Sequence, residues 1–280
     1  MRLQKIIIPV LFSCWIFVAV GQQIVAPLPV SKNGFVVIAH RGSHLIKPEN
    51  TVAAMEAAIN EGADYVEVDL RTTKDSHLVL LHDNSVDRTT NGTGPVNLLT
   101  WEEITKLATI GKDNKVYHIP DFSEVLKACK GRINIYLDFK EADVADTYSQ
   151  IKAVGMEKNI VVYLNKVEQY TAWRKAAPDM PLMSSLPESI NTKEDFLNSF
   201  AKMQLEVLDN VTDSTMLAMA NENGIHVWLD VQSADEGPAK WSQAINKGIK
   251  GLQTDHPKAL VAYLLKNNLR SGCKITGRNR

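Results

Sequence analysis

Cysteine is scarce: the 280-residue chain has three, and one of them, Cys14, lies in an apolar N-terminal run. That leaves Cys129 and Cys273 for a mature chain, so a disulfide-stapled small fold and a cysteine-built metal centre are excluded. A single Cys129–Cys273 bridge is the most they could form. Charge of one sign is also missing. The formal net charge is −1 with no long basic run, which argues against a phosphate-backbone binder of nucleic acid. No aromatic cluster marks a membrane-facing rim, and there is no internal repeat, low-complexity stretch or linker. What remains is an ordinary globular composition, 45% hydrophobic and 22% charged. The length suits one large single-core domain, such as an α/β barrel of about 250 residues.

The N-terminus has the pattern of an export signal. Met1–Lys5 carries two positive charges, an apolar run follows from Ile6, and small residues precede Gln22. This predicts a signal peptide over residues 1–21, cleaved after Gly21, and a periplasmic or secreted protein without stable membrane insertion. A lipoprotein signal ending at Cys14 fits less well, because the apolar run continues past it. An uncleaved anchor would be short for a membrane span. Residues 22–33 are expected to be a loose leader, 34–270 the folded domain and 271–280 a tail. Asn91-Gly92-Thr93 and Asn210-Val211-Thr212 match the glycosylation pattern, relevant in a eukaryotic host.

Nine strand candidates alternate with helical patterns: 35–40, 65–70, 78–82, 133–139, 160–164, 182–186, 205–208, 226–231 and 251–254. Alternation predicts parallel strands with helices outside them, a somewhat irregular (β/α)8 TIM barrel in a single domain. Nine candidates for eight places leave one over, and the weak run 205–208 is expected outside the barrel. The link from Asp69 to Leu78 is too short for a crossover helix, so irregularity is expected there too.

Polar residues close several of these strands: His40, Asp69, His82, Asp138, Lys140, Asp230 and Asp255. In such a barrel the strand C-termini share one face, where active sites lie. Glu67 and Asp69 are two apart on one strand and project together. Joined by Asp138, they form a hard oxygen set suited to one divalent ion, Ca2+ or Mg2+, rather than zinc. His40 and His82 suit acid and base work near neutral pH. Arg41 and Lys140 can bind an anionic oxygen. Together these fit a phosphate ester better than an amide or a sugar. The plain alternative for Asp138 and Lys140 is a salt bridge inside the barrel. His44, His77, His118 and His226 are expected to face water, and Trp228 to line the pocket.

The motifs A-H-R-G, P-E-N-T, G-A-D-x-x-E-x-D, T-K-D, H-D and R-T-T-x-G-x-G occur in order from Ala39 to Gly94. In these the chain resembles the glycerophosphodiester phosphodiesterase family, and later segments, including Asp138-Phe139-Lys140 and Thr254–Pro257, extend the resemblance over the mature chain. The resemblance implies metal-dependent hydrolysis of small-molecule glycerophosphodiesters to sn-glycerol 3-phosphate and an alcohol. It implies His40 and His82 as the acid–base pair and Arg41 as the phosphate-binding arginine, which Lys140 and Trp228 join as substrate-binding candidates from the reading above. Glu67, Asp69 and Asp138 would be the metal ligands, with Glu49 approaching the metal or orienting a neighbour. Water or the adjacent glycerol hydroxyl would be the nucleophile. Asp138 replaces the family's Glu, and Leu229-Asp230 replaces its Thr and Asn after the tryptophan. Two other readings stand beside this: a phospholipase C- or D-like barrel acting on lipids, and a secreted ligand-binding barrel without catalysis.

Overall fold

A computed structural model describes residues 26–31 and 33–271. The expected signal peptide, its cleavage point, Cys14, Cys273 and nearly all of the tail lie outside the described residues. In chain order the elements are β1 (Val36–Ala39), α1 (Val52–Glu61), β2 (Tyr65–Thr72), β3 (Leu78–Leu80), α2 (Trp101–Thr105), β4 (Thr109–Ile110), β5 (Val116–Tyr117), α3 (Phe122–Cys129), β6 (Asn134–Phe139) and α4 (Val144–Val154). They continue with β7 (Ile160–Leu164), α5 (Val167–Ala176), β8 (Leu182–Ser185), α6 (Lys193–Lys202), β9 (Val207–Asp209), α7 (Ser214–Glu222), β10 (His226–Asp230), α8 (Pro238–Asn246), β11 (Gly251–Thr254) and α9 (Pro257–Lys266).

Local sequence accounts for the helix ends. Thr51 caps α1 by accepting from the Ala54 N–H, and Gly62, at φ 86°, ends it. Thr100 and Glu103 form a capping box on α2. Asp121 caps α3.

Eight strands, β1, β2 and β6 to β11, pair in parallel and close on themselves through β1–β2 and β1–β11. The strand outside the barrel is β3, which runs antiparallel to β2. This corrects the expectation for 205–208, whose C-terminal half belongs to β9, a barrel strand paired with both neighbours. The reason is the short Asp69–Leu78 link. It permits a hairpin but not the helix that a parallel return requires. The β4–β5 hairpin, absent from the sequence reading, comes after α2 and forms a separate two-stranded sheet.

Alternate residues of each barrel strand divide between two apolar regions. One set, including Val37, Val66, Leu137, Val162 and Leu252, packs outward under the helices. The other fills the barrel with Ile38, Tyr65, Tyr136, Val161, Met183, Val207 and Trp228. Gly251 is required here, since a Cβ would sit 2.7 Å from the Trp228 ring. The base is closed by the segment expected to be loose. Ala26 donates its N–H to Glu206 (3.1 Å), and the Tyr65 hydroxyl donates to the Pro29 carbonyl (2.8 Å). Among the described residues no helix is long and apolar enough to cross a membrane. Among the described residues the Cys129 thiol, buried in α3, has no disulfide partner, and burial pushes it up to about 12.

Candidate active site

One pleat step above the apolar filling, the same strands become polar. Glu67 and Asp69 on β2, Asp138 on β6, Tyr163 on β7, Ser185 on β8, Asp209 on β9, Asp230 on β10 and Gln253 on β11 line a cleft of about 310 Å³, together with His40, Arg41, His82 and Lys140. Thus His40, Arg41, Glu67, Asp69, His82, Asp138 and Lys140, all expected at the site from sequence, converge at one mouth.

Carboxylate oxygens of Glu67, Asp69 and Asp138 lie within 4.8 Å of one another. Burial pushes Glu67 well up from the carboxylate range, and Asp69 and Asp138 add to the push. Asp138 is raised by burial and by Asp69, although Lys140 and Asn165 oppose this. The set fits a divalent cation: three oxygen donors that repel one another, with no sulfur. Asn50, at φ 55°, locks Asp69 by donating from Nδ2 (2.8 Å) and accepting its N–H (3.1 Å). Lys140 Nζ bridges Asp138 and Asp69, at 3.1 Å from the latter. The salt-bridge alternative therefore holds for one side of the triad. Glu67 instead accepts the Arg41 backbone N–H at 2.8 Å.

That bond depends on an unusual turn. Arg41 and Gly42 both have positive φ, 53° and 83°. Gly42 has no alternative, because a Cβ would lie 2.7 Å from that of Ala54. A left-handed arginine is a strained residue of the kind found at functional sites.

Each histidine is oriented by an aspartate. His40 Nδ1 meets Asp255 Oδ1 at 2.8 Å, and His82 Nδ1 meets Asp83 Oδ1 at 2.7 Å. The Nε2 atoms are thereby left for chemistry. Burial alone would raise Asp255, but the His40 hydrogen bond and nearby His44 and His256 outweigh it and hold the carboxyl low. Asp83 is held well below the usual range, first by Arg88 and then by His82.

Glu49 is not among the clustered oxygens. It is clamped between Arg41 (3.0 Å) and Arg88 (2.7 and 2.8 Å), so it orients arginines rather than approaching the metal set. Trp228 does not line the cleft. It is 1% exposed, packed among Tyr65 and Tyr136, because it lies two residues below Asp230 on the inward face of β10. His44 does not simply face water. Its Nδ1 contacts the His40 carbonyl at 2.7 Å and its Nε2 lies 3.6 Å from Asp255.

The sequence reading missed Asp83, Arg88, Asp209 and Asn210, and gave no role to Asp230, Gln253 or Asp255. Burial and then Asp230 and Asp138 push Asp209 up to about 8. Its signal was present: Val207-Leu208-Asp209 repeats the inward alternation of Glu67-Val68-Asp69.

The sequence pattern of the glycerophosphoryl diester phosphodiesterase family matches residues 40–259. YhdW of Bacillus subtilis is 29% identical over 245 residues, 80% of this chain and 96% of YhdW. A glycerophosphodiester phosphodiesterase of Caldanaerobacter subterraneus is 58% identical over 71 residues, 25% of this chain and 29% of that protein. Among solved structures, the glycerophosphodiester phosphodiesterase from Agrobacterium tumefaciens superposes with a TM-score of 0.71 at 24% identity, covering 81% of this chain and 99% of that one. A phosphodiesterase from Oleispira antarctica, solved with the product sn-glycerol-3-phosphate, gives 0.69 at 19% identity, covering 82% and 96%. Across that span the chain belongs to the glycerophosphoryl diester phosphodiesterase family and is a phosphoric diester hydrolase.

Proposed function

We propose that the chain hydrolyses glycerophosphodiesters to sn-glycerol 3-phosphate and an alcohol, using a divalent cation held by Glu67, Asp69 and Asp138 and acid–base catalysis by His40 and His82. The observation that carries this is the meeting of three clustered carboxylates with two aspartate-oriented histidines in one cleft. The product found in the Oleispira antarctica phosphodiesterase supports the glycerol phosphate assignment.

When bound, Ca2+ or Mg2+ supplies positive charge opposite the developing phosphoryl charge. Arg41, anchored on Glu49, adds a guanidinium to the same face of the cleft. Lys140 neutralises part of the acid cluster and so limits its self-repulsion. The two dyads differ in charge. Asp83 is paired with Arg88 through bonds of 2.6 and 3.1 Å, whereas Asp255 faces imidazoles. An aspartate not neutralised by arginine better supports an imidazolium. On this ground His40 donates the proton to the leaving alcohol and His82 accepts the nucleophile's proton.

Single His40→Ala and His82→Ala variants, assayed on glycerophosphocholine, test this reading. Each is expected to lose about 10²–10⁴-fold in kcat. Near wild-type turnover in either removes that residue from the scheme.

One observation favours a lipid-directed second reading. Ile110 and Val116 face each other on the β4–β5 hairpin at 69% and 68% exposure, beside Ile46 at 55%. Lys112 donates its N–H to the Ile46 carbonyl at 2.9 Å, joining hairpin and β1–α1 loop. Such an apolar tip suits a bilayer surface. Co-sedimentation with phosphatidylcholine vesicles, lost in Ile110→Ser/Val116→Ser, supports it; no binding by the wild type rejects it. Export is part of the proposal and is checked by N-terminal sequencing, with Gln22 expected first.

A further inference from the structure

The cleft has a second acidic side that the catalytic scheme leaves unused. Asp209 and Asp230 close adjacent strands β9 and β10, and Gln253 follows on β11. Their closest donors are amides, with the Ser185 hydroxyl also beside Asp209 and the His40 ring near Asp230. Asn210 Nδ2 donates to Asp209 Oδ2 (3.0 Å) and to Asp230 Oδ2 (2.9 Å), and Gln253 Nε2 donates to Asp230 Oδ1 (2.8 Å). Two acceptors remain without a donor among the described residues, Asp209 Oδ1 and Gln253 Oε1. Both belong to side chains lining the cleft and nearly buried, at 5% and 6% exposure. The neighbouring Ser185 hydroxyl is engaged with Tyr163 at 2.9 Å.

Buried acceptors without donors, and carboxylates without a cation, are both costly. Apart from the His40 ring, whose charge reaches Asp230, the cations of the cleft are committed away from Asp209. Arg41 pairs with Glu49 at 3.0 Å and faces Asp69 at 3.6 Å, and Lys140 holds Asp69 and Asp138. A second metal ion fits poorly, because Asn210 already points an N–H2 group between the two aspartates. A neutral diol would supply donors but no charge. A quaternary ammonium would supply charge but no N–H. A primary ammonium supplies both.

We propose that Asp209, Asp230 and Gln253 form the part of the cleft that receives an alcohol bearing a primary ammonium, making ethanolamine-type glycerophosphodiesters the preferred substrates. This rests on the diester-hydrolase reading above and names its substrate class.

The test compares kcat/KM for glycerophosphoethanolamine, glycerophosphocholine and glycerophosphoglycerol, measured as released glycerol 3-phosphate, in wild type, Asp209→Asn and Asp230→Asn. Wild type is expected to prefer the ethanolamine diester by roughly 10-fold or more, the size of one charge-assisted hydrogen bond. In each variant that ratio should collapse toward one. Equal rates on all three diesters in wild type, or a ratio unchanged in both variants, overturns the assignment. If none of the three is cleaved, the hydrolase reading itself fails. Calorimetric binding of the ethanolamine and choline diesters then decides this assignment separately: tighter ethanolamine binding supports it, equal binding rejects it.

Discussion

Two layers of the same barrel interior differ by one pleat step. Below lie Tyr65, Tyr136, Val207 and Trp228; two residues along the same strands stand Glu67, Asp138, Asp209 and Asp230. Backbone geometry is common to both layers, so the difference is chemical. The lower layer gains from leaving water. The upper layer is penalised for it, as the upward shifts of Glu67, Asp138, Asp209 and Asp230 record, each with burial as the first cause. Stability therefore resides below and function above, and substitutions in the two layers should have opposite signatures.

The largest expected effect is in the lower layer. Trp228→Ala should destabilise the fold by about 3–5 kcal/mol through the cavity it leaves, read by urea unfolding. If activity falls while stability holds, Trp228 belongs to the site after all. In the upper layer Glu67→Gln should lower kcat/KM by about 10²–10³-fold, comparable to losing one preorganised electrostatic group. Its metal-free melting temperature should stay level or rise, since one repelling charge is gone. A large drop in melting temperature would make Glu67 structural.

How far these layers can be read from sequence depends on the range of the contacts involved. His40, Arg41, Glu67, Asp69 and His82 stand in short motifs beside strong strand signals, and all reach the cleft. Alternation along β2 was enough to aim Glu67 and Asp69 together. The same rule, applied to Trp228 and Asp230, would have put the tryptophan one layer down. Its large ring at a strand end suggested a pocket, but its depth depends on where β10 begins in the barrel. Leu205–Leu208 looked too weak to be a barrel strand, and that misplacement hid Asp209. The aspartates that orient the histidines were also hidden, since Asp255 reaches His40 across 215 residues of chain.

A smaller loss should follow from that long-range pair. Asp255→Asn keeps the shape but removes the charge on His40, and should lower kcat by roughly 10–100-fold, the worth of a hydrogen bond to a charged group. The alkaline limb of the pH–rate profile, where the donor loses its proton, should move with it. A profile of unchanged shape would argue against His40 as the proton donor.

The smallest effect concerns pH and stability. Asp209 binds its proton more tightly folded than unfolded, so this contribution is full below the ordinary aspartate range. It is lost as pH rises toward about 8. The metal-free protein should therefore melt at lower temperature at pH 8 than at pH 5, and Asp209→Asn should flatten the slope. A melting temperature rising over that window in the wild type would contradict the mouth's electrostatics.

Calorimetric titration of Ca2+ and Mg2+ into chelator-treated protein tests the central claim most directly. The account predicts one ion per chain for the wild type, with affinity weakened roughly tenfold or more in Asp69→Asn and in Glu67→Gln. A wild type that binds neither ion, or binding that both substitutions leave unchanged, would contradict it.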